Sequence, residues 1–319
     1  MENAQISTLQ QAIIHFSDPQ NCLQYLATKR WPDGAVKCPT CGSSSVSFLA
    51  KHLRWQCASH HPRRQFSIKV GTIFEDSPIG LEKWLAAMWL ITNAKNGISS
   101  WEIHRALGVS QKTAWFMLHR IRLSHQDKAG NKLSGQIEAD ETFIGGKARN
   151  MHSSARARRV TGTGGKDKTA VMGILERGGK GNSRVRVKVI PNTKKKALQA
   201  ELREHVLAGS AIFTDALQSY SGLNEFQNEV VDHAVEYVRG EVHTNGLENF
   251  WSLLKRGLKG TYVSVEPFHL FRYLDEQTFR YNNRKDMDNA DRFQLALSQI
   301  VGKRLTYAEV TGKVGETAF

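Results

Sequence analysis

Three carboxylates stand at telling places: Asp140 on a first strand, Asp215 after a fourth, and Glu248 on the helix after a fifth. Clustered carboxylates repel one another, so a cation must join them or at least one pKa must rise. Their hard oxygens suit Mg²⁺ or Mn²⁺. Two such ions can clamp the attacking and leaving oxygens of a phosphodiester displacement. Taken singly, each carboxylate is as readily a helix cap or a solvated side chain. Their shared importance rests on the elements that carry them.

A second set has metal-ligand spacing. Cys38-Pro39-Thr40-Cys41-Gly42 places two thiolates on one tight turn, and Cys57-Ala58-Ser59-His60 repeats the two-residue gap. Cys38, Cys41, Cys57 and His60 therefore read as a Cys₃His zinc ribbon, with His61 as the alternative fourth ligand. Four protein ligands leave no open position, so the zinc would be structural. The remaining thiol, Cys22, reads as a buried free cysteine. Four cysteines in a chain of 319 residues do not make a disulfide framework.

The elements needed to position the carboxylates follow from periodicity. Gln136–Ile144, Ala170–Leu175 and Val185–Ile190 read as strands of a meander, and Lys194–Leu207 as a helix. Ala211–Thr214 is a short buried strand ending in Asp215, and Val230–Ala234 a further strand. Leu247, Phe250, Trp251 and Leu254 fall at i, i+3, i+4 and i+7, one apolar helical stripe. Asn245 just ahead of it, with Glu248 three residues on, has the form of a capping box. The order is β-β-β-α-β-α-β-α, with a last helical part over 268–281. Adjacent first and fourth strands would bring Asp140 and Asp215 together, with Glu248 carried over them on the helix.

The amino-terminal part differs in kind. A helical lead-in ends at Trp31-Pro32-Asp33-Gly34, and two strands of the ribbon follow at 46–48 and 53–55. Trp84, Leu85, Met88, Trp89 and Ile91 pattern a helix. Residues 99–122 form a helix, a Leu-Gly-Val-Ser turn and a second helix opening with Gln111, Lys112 and Thr113. In a helix-turn-helix these three residues address base edges or phosphates in a major groove; an ordinary helical hairpin has the same pattern.

The charge balance points to a polyanionic partner. Lys and Arg number 44 against 30 Asp and Glu, giving net +14. Sixteen basic and three acidic residues lie between Lys147 and Arg203. The Gly- and Ser-rich stretch 147–168, with Arg156, Arg158 and Arg159, reads as a loop suited to phosphates. No apolar run reaches the roughly 18–20 residues needed to cross a bilayer, and Met1–Phe16 lacks the form of a signal peptide. A cytoplasmic, nucleoid-associated protein with no membrane partner is the expectation.

Together these motifs resemble the DDE transposases of bacterial insertion sequences, of the ISXO type. The matching pieces are residues 30–34, 38–42, 66–77, 112–115, Glu138-Ala139-Asp140-Glu141-Thr142, Thr214-Asp215, 243–251 with Lys255, and Arg280-Tyr281-Asn282-Asn283-Arg284. They span nearly the whole chain in the family's order. The resemblance implies an RNase H-like mixed sheet flanked by helices, preceded by a small zinc ribbon and a helical helix-turn-helix domain. The implied boundaries are 1–78 for the lead-in and ribbon, 79–127 for the helix-turn-helix, 132–285 for the catalytic domain and 286–319 for a carboxy-terminal tail. It also implies that Asp140, Asp215 and Glu248 bind two Mg²⁺ or Mn²⁺ ions and that Lys255 contacts transposon-end DNA. Arg284 joins the DNA-binding set. Some relatives use Asn in the third role, so Asn245 competes with Glu248. His60 departs from the family, which usually has Cys there. The implied activity is binding of terminal inverted repeats, cleavage at the element's ends and joining of the 3′-hydroxyl to target DNA, by a dimer or higher multimer. An inactive relative acting as a DNA-binding protein, and an RNase H-like nuclease or resolvase, are the other classes consistent with the residues.

Overall fold

The computed structural model describes residues 6–126, 130–145, 152–154, 168–179, 182–215, 218–231 and 244–313; for Asp215, Gln218 and 228–231 it describes the backbone. The chain forms two compact units, one gathering Met1–Gln126 with Asp286–Ala318 and the other Asp127–Lys285.

The first unit opens with α1 (Leu9–Phe16) and α2 (Pro19–Arg30). Thr8 and Gln11 form a capping box on α1, and Asp18 caps α2 ahead of Pro19, whose missing N–H costs nothing at the first helical position. The ribbon strands β1 (Val46–Leu49), β2 (Arg54–Cys57) and β3 (Gln65–Phe66) pair antiparallel in that order. Three helices follow: α3 (Leu81–Asn93), α4 (Ser100–Leu107) and α5 (Gln111–Ser124). Trp84, Leu85, Met88, Trp89 and Ile91 of α3 are all buried, as the apolar pattern demands. Ser99 and Glu102 box the start of α4, and Gly108 ends it at φ +60°, a left-handed conformation that glycine adopts without a Cβ penalty. Ser110 then caps α5 through the Thr113 amide.

The second unit is a five-stranded mixed sheet. Its elements are β4 (Gln136–Ile144), β5 (Thr169–Glu176), β6 (Arg184–Ile190), α6 (Lys195–His205), β7 (Ala211–Asp215), β8 (Gln227–Val231), α7 (Asn245–Gly260) and α8 (Leu270–Asn282). The strand order is β6-β5-β4-β7-β8. The β4–β5 and β5–β6 pairs are antiparallel; β4–β7 and β7–β8 are parallel. Alternation along β4 sends Ile137 and Ala139 into a core with Leu198 and Leu202 of α6. On the opposite face, Val171 and Leu175 of β5 pack with Leu247, Phe250, Trp251 and Leu254 of α7 and Leu274 of α8. The mixed sheet flanked by helices is consistent with the expected RNase H-like class.

Three local expectations change. Between β7 and β8 the described residues form a 3₁₀ turn at Gln218–Tyr220 rather than an α-helix. The connection is short and carries Ser219, Ser221 and Gly222, the last at φ +79°, which favours a turn. The fifth strand of the sheet lies at Gln227–Val231, ahead of the expected 230–234; residues 232–234 lie outside the described ones. The segment from 286 does not trail as a tail. It returns to the first unit as α9 (Asn289–Ser298) and α10 (Tyr307–Val310). Phe293 of α9 is fully buried, with ring centroids 5.1 Å from Trp89 and 6.0 Å from Phe16.

Candidate active site and zinc centre

Asp140 lies at the middle of β4, partly buried, on the face covered by α7. Its Oδ1 accepts the Glu141 amide at 2.8 Å, and its Oδ2 accepts the Trp251 indole N–H at 2.8 Å. Asp215 ends β7. The parallel register pairs Gln136 with Ala211, Ile137 with Ile212 and Glu138 with Phe213. Two further steps at the same offset bring Asp215 level with Asp140. On α7, Glu248 precedes Trp251 by three residues and Lys255 follows it by four, so all three lie along one side of the helix. Glu248 is exposed and Lys255 half-buried. Burial holds the Lys255 ammonium below its usual range; Asp140 opposes that shift, while Lys259 and Lys168 add to it. Lys255 thus lies within electrostatic reach of Asp140 on one side and of Lys168 and Lys259 on the other.

The amino-terminal end of α7 is fixed by a residue from β4. Thr244 is the N-cap, with no side-chain cap bond, and Asn245 is the first helical residue, so the expected Asn245–Glu248 capping box does not form. Glu138, 1% exposed, takes that role from the neighbouring strand. Its Oε2 accepts the Leu247 amide at 2.9 Å, and its Oε1 accepts Arg177 Nε at 2.7 Å. A negative charge at a helix amino terminus meets the positive end of the macrodipole. Gly246 permits the approach: a Cβ there would lie 2.8 Å from Glu138 Oε2. Arg177 in turn lies over the Phe213 ring at 4.3 Å.

In the first unit, Cys38, Cys41, Cys57 and His61 bring their ligand atoms within 4.8 Å of one another. Cys41 and Cys57 Sγ are 3.6 Å apart, and Cys38 Sγ is 3.4 Å from His61 Nε2. Those separations suit the edges of a tetrahedron, since two thiolates at about 2.3 Å from one zinc stand roughly 3.8 Å apart. His61 Nδ1 lies 2.7 Å from the Pro62 carbonyl. Donating its proton there leaves Nε2 as the ligand. Burial pushes the Cys38 thiol up, but the Cys41 and Thr40 amides and the Cys41 and Cys57 side chains outweigh it and bring the pKa to about 6. The histidine that joins the three cysteines is His61, the alternative fourth candidate, while His60 is exposed.

Comparison with known proteins fits this architecture. The ISXO2-like transposase domain matches residues 132–282, and the transposase zinc-ribbon domain matches 17–61, ending on His61. A protein in transposable element ISH50 of Halobacterium salinarum is 30% identical over 256 residues, covering 76% of this chain and 84% of that one. The chain belongs to the ISXO2-like transposases. A transposase-like protein of Haemophilus influenzae is 32% identical over 97 residues, 30% of this chain and 78% of its own.

The transposase's remaining predicted contacts fall as follows. Gln111 Nε2 donates to Ser100 Oγ at 2.9 Å, tying the start of α5 to the start of α4. Thr113 Oγ1 lies 2.8 Å from Ser110 Oγ within the α5 cap. Lys112 is exposed, its ammonium 4.7 Å from the Tyr307 ring centroid. Arg284 is exposed at the end of α8, donates to the Ser183 carbonyl at 3.0 Å and stacks over Tyr281. Arg156, Arg158 and Arg159 lie outside the described residues, as does the Asp215 side chain. No helix among the described residues is long and apolar enough to cross a membrane. Glu138, Trp251 and Gly173 have roles that sequence reasoning did not assign. An isolated glycine inside a strand signals close approach of another group, and Gly173 in the apolar run 170–175 carried that signal.

Proposed function

We propose that the transposase cleaves DNA at its element's ends and joins the freed 3′-hydroxyl to a target phosphodiester, with Asp140, Asp215 and Glu248 as the metal-binding carboxylates. What supports this reading is the parallel β4–β7 register, which continued two residues past Glu138–Phe213 would set Asp215 level with Asp140, together with the bond from Trp251 of α7, one turn after Glu248 and one before Lys255, to Asp140. Two Mg²⁺ or Mn²⁺ ions at these carboxylates would supply nucleophile activation and charge neutralisation at the leaving oxygen. Asp140 suits a hard cation by the chemistry of its carboxylate oxygens, which the Glu141 amide and the Trp251 indole N–H hold in place.

The protein's own share is positioning and electrostatics. Lys255, with Lys168 and Lys259 beside it, holds end-DNA phosphates against the carboxylates. Glu248 is preferred to Asn245 in the third role, because Lys255 follows Glu248 by seven residues on the same side of α7; Asn245 sits at the helix entrance. The zinc ribbon and the α4–α5 pair recognise the terminal repeats, with Lys112 as the exposed contact and Gln111 and Thr113 beside it. Arg156, Arg158 and Arg159 engage flanking or target DNA, and Arg284 contributes a phosphate contact. The enzyme works as a dimer or higher multimer on DNA, in the cytoplasm at the nucleoid.

The test is strand transfer with purified protein, Mg²⁺, a labelled duplex bearing the element's end and a plasmid target. Joined product is expected from the natural protein and none from Asp140→Ala, with end binding in a gel shift unchanged. Joining by Asp140→Ala would refute the site. End binding by the natural protein without cleavage or joining, in both Mg²⁺ and Mn²⁺, would assign it to the DNA-binding class instead.

A further inference from the structure

Gly173 stands directly across from Asp140 in the β4–β5 register. A Cβ at that position would lie 2.6 Å from Trp251 Cζ2, 2.8 Å from Trp251 Cη2 and 2.8 Å from Leu247 Cδ2. Its φ is not positive, so the backbone there does not require glycine. The indole does. The ring fills the space a side chain would take and is 5% exposed. From that seat its N–H reaches Asp140 Oδ2 at 2.8 Å. A glycine in the middle of a strand is otherwise unfavourable relative to alanine.

We propose that Trp251 is a positioning residue for Asp140, and that Gly173 is the vacancy in β5 that admits it. The inference rests on the reading of Asp140 as a metal-binding carboxylate. Held at Oδ1 by the Glu141 amide and at Oδ2 by the indole, the carboxylate keeps one rotamer. Indole N–H is a donor only and does not ionise, so it orients the carboxylate without neutralising it or competing for a cation. The same bond fixes α7 in rotation against β4. Glu248 and Lys255, on either side of Trp251 along the helix, are thereby set at fixed heights beside Asp140.

The test uses the full chain with Trp251→Phe, which keeps a ring and removes the donor, and Gly173→Ala, which displaces the ring. Mn²⁺ binding is measured by calorimetry without DNA, and strand joining across a Mg²⁺ series. Loss of an orienting partner of a metal ligand typically costs about 10–100-fold in affinity. Trp251→Phe is therefore expected to weaken Mn²⁺ binding about 10-fold and to raise the Mg²⁺ needed for half-maximal joining by a similar factor. End binding should stay within about twofold. Mn²⁺ affinity equal to that of the natural protein would overturn the proposal.

A third measurement needs no variant at Trp251 or Gly173. Among the seven tryptophans, one ¹⁵N indole signal should move in Asp140→Ala, and the same signal should shift when Mg²⁺ is added to the natural protein. No indole signal responding to Mg²⁺ would also overturn the proposal. Joining by Asp140→Ala is a separate outcome: it refutes the underlying site, and this inference falls with it.

Discussion

Removal of the Glu138 carboxylate should be among the most costly single changes in the second unit. Glu138 is 1% exposed and satisfies two groups from different elements, the Leu247 amide of α7 and Arg177 after β5. In Glu138→Ala the Arg177 guanidinium, 14% exposed, loses its carboxylate while still largely buried. Breaking a buried pair by removing one partner costs about 3–5 kcal/mol. Loss of a helix cap adds about 1 kcal/mol. The two overlap, because one carboxylate serves both, so about 4 kcal/mol is the expected total. For a unit of this size that is a fall in melting temperature of roughly 8–16 °C. Glu138→Gln keeps an acceptor for the Leu247 amide but not the charge, and should fall between. The double variant Glu138→Ala/Arg177→Met also removes the guanidinium that faced Glu138 and should recover a substantial part of the loss. Thermal and urea unfolding of the four proteins measure this. Glu138→Ala within about 1 kcal/mol of the natural protein would refute the reasoning, as would a double variant no better than the single.

Other expectations follow from the same geometry. His61→Ala should release the ribbon's zinc in a metal assay, from about one ion per chain to a small fraction, whereas His60→Ala should keep it; the reverse result would restore His60 as ligand. Burial, with Glu82 and Asp18 adding, pushes the Cys22 thiol up to about 12, and burial does the same to the Tyr25 hydroxyl. An acid whose folded pKa is raised stabilises the fold below its unfolded pKa and loses that contribution as pH rises towards the folded value. Stability of the first unit should therefore hold up to about pH 8 and decline between about pH 9 and 12; Cys22→Ala should flatten the first part of that decline in urea titrations. Cys22 should also resist iodoacetamide at pH 8 in the native protein and react once unfolded.

The sheet's central strand was legible to the residue. The alternation over Gln136–Ile144 puts Ile137, Ala139 and Phe143 on one face, interrupted only by Glu141, and β4 has those bounds. The stripe Leu247, Phe250, Trp251, Leu254 was legible for the same reason: period alone determines which residues are buried. What escaped were choices between neighbours and partners distant in sequence. His60 and His61 differ by one position in a turn, and ligand spacing admits both; the fold of the turn selects His61. Asn245 and Glu248 have the form of a capping box, yet the helix starts at Asn245 with Thr244 as its N-cap, because a carboxylate 109 residues earlier reaches the Leu247 amide first. Gln111 has the position of a base-reading residue, but Ser100, on the preceding helix, takes up its amide. The return of residues 289–298 to the first unit left no local signal beyond an amphipathic pattern, since Phe16 and Trp89, the partners of Phe293, lie 277 and 204 residues upstream of it.

That return imposes an order on synthesis. The unit built from the chain's beginning lacks one of its walls until residue 298 has left the ribosome, by which time all of the second unit has been made. Until then Phe16, Tyr25 and Trp89 have no Phe293 to close over them. A chain cut short anywhere in the second unit thus carries an unfinished first unit with an open apolar surface, a feature that chaperones and proteases act on. The first unit and the sheet of the second are thus completed together, and a truncated product carries neither a finished first unit nor the full chain.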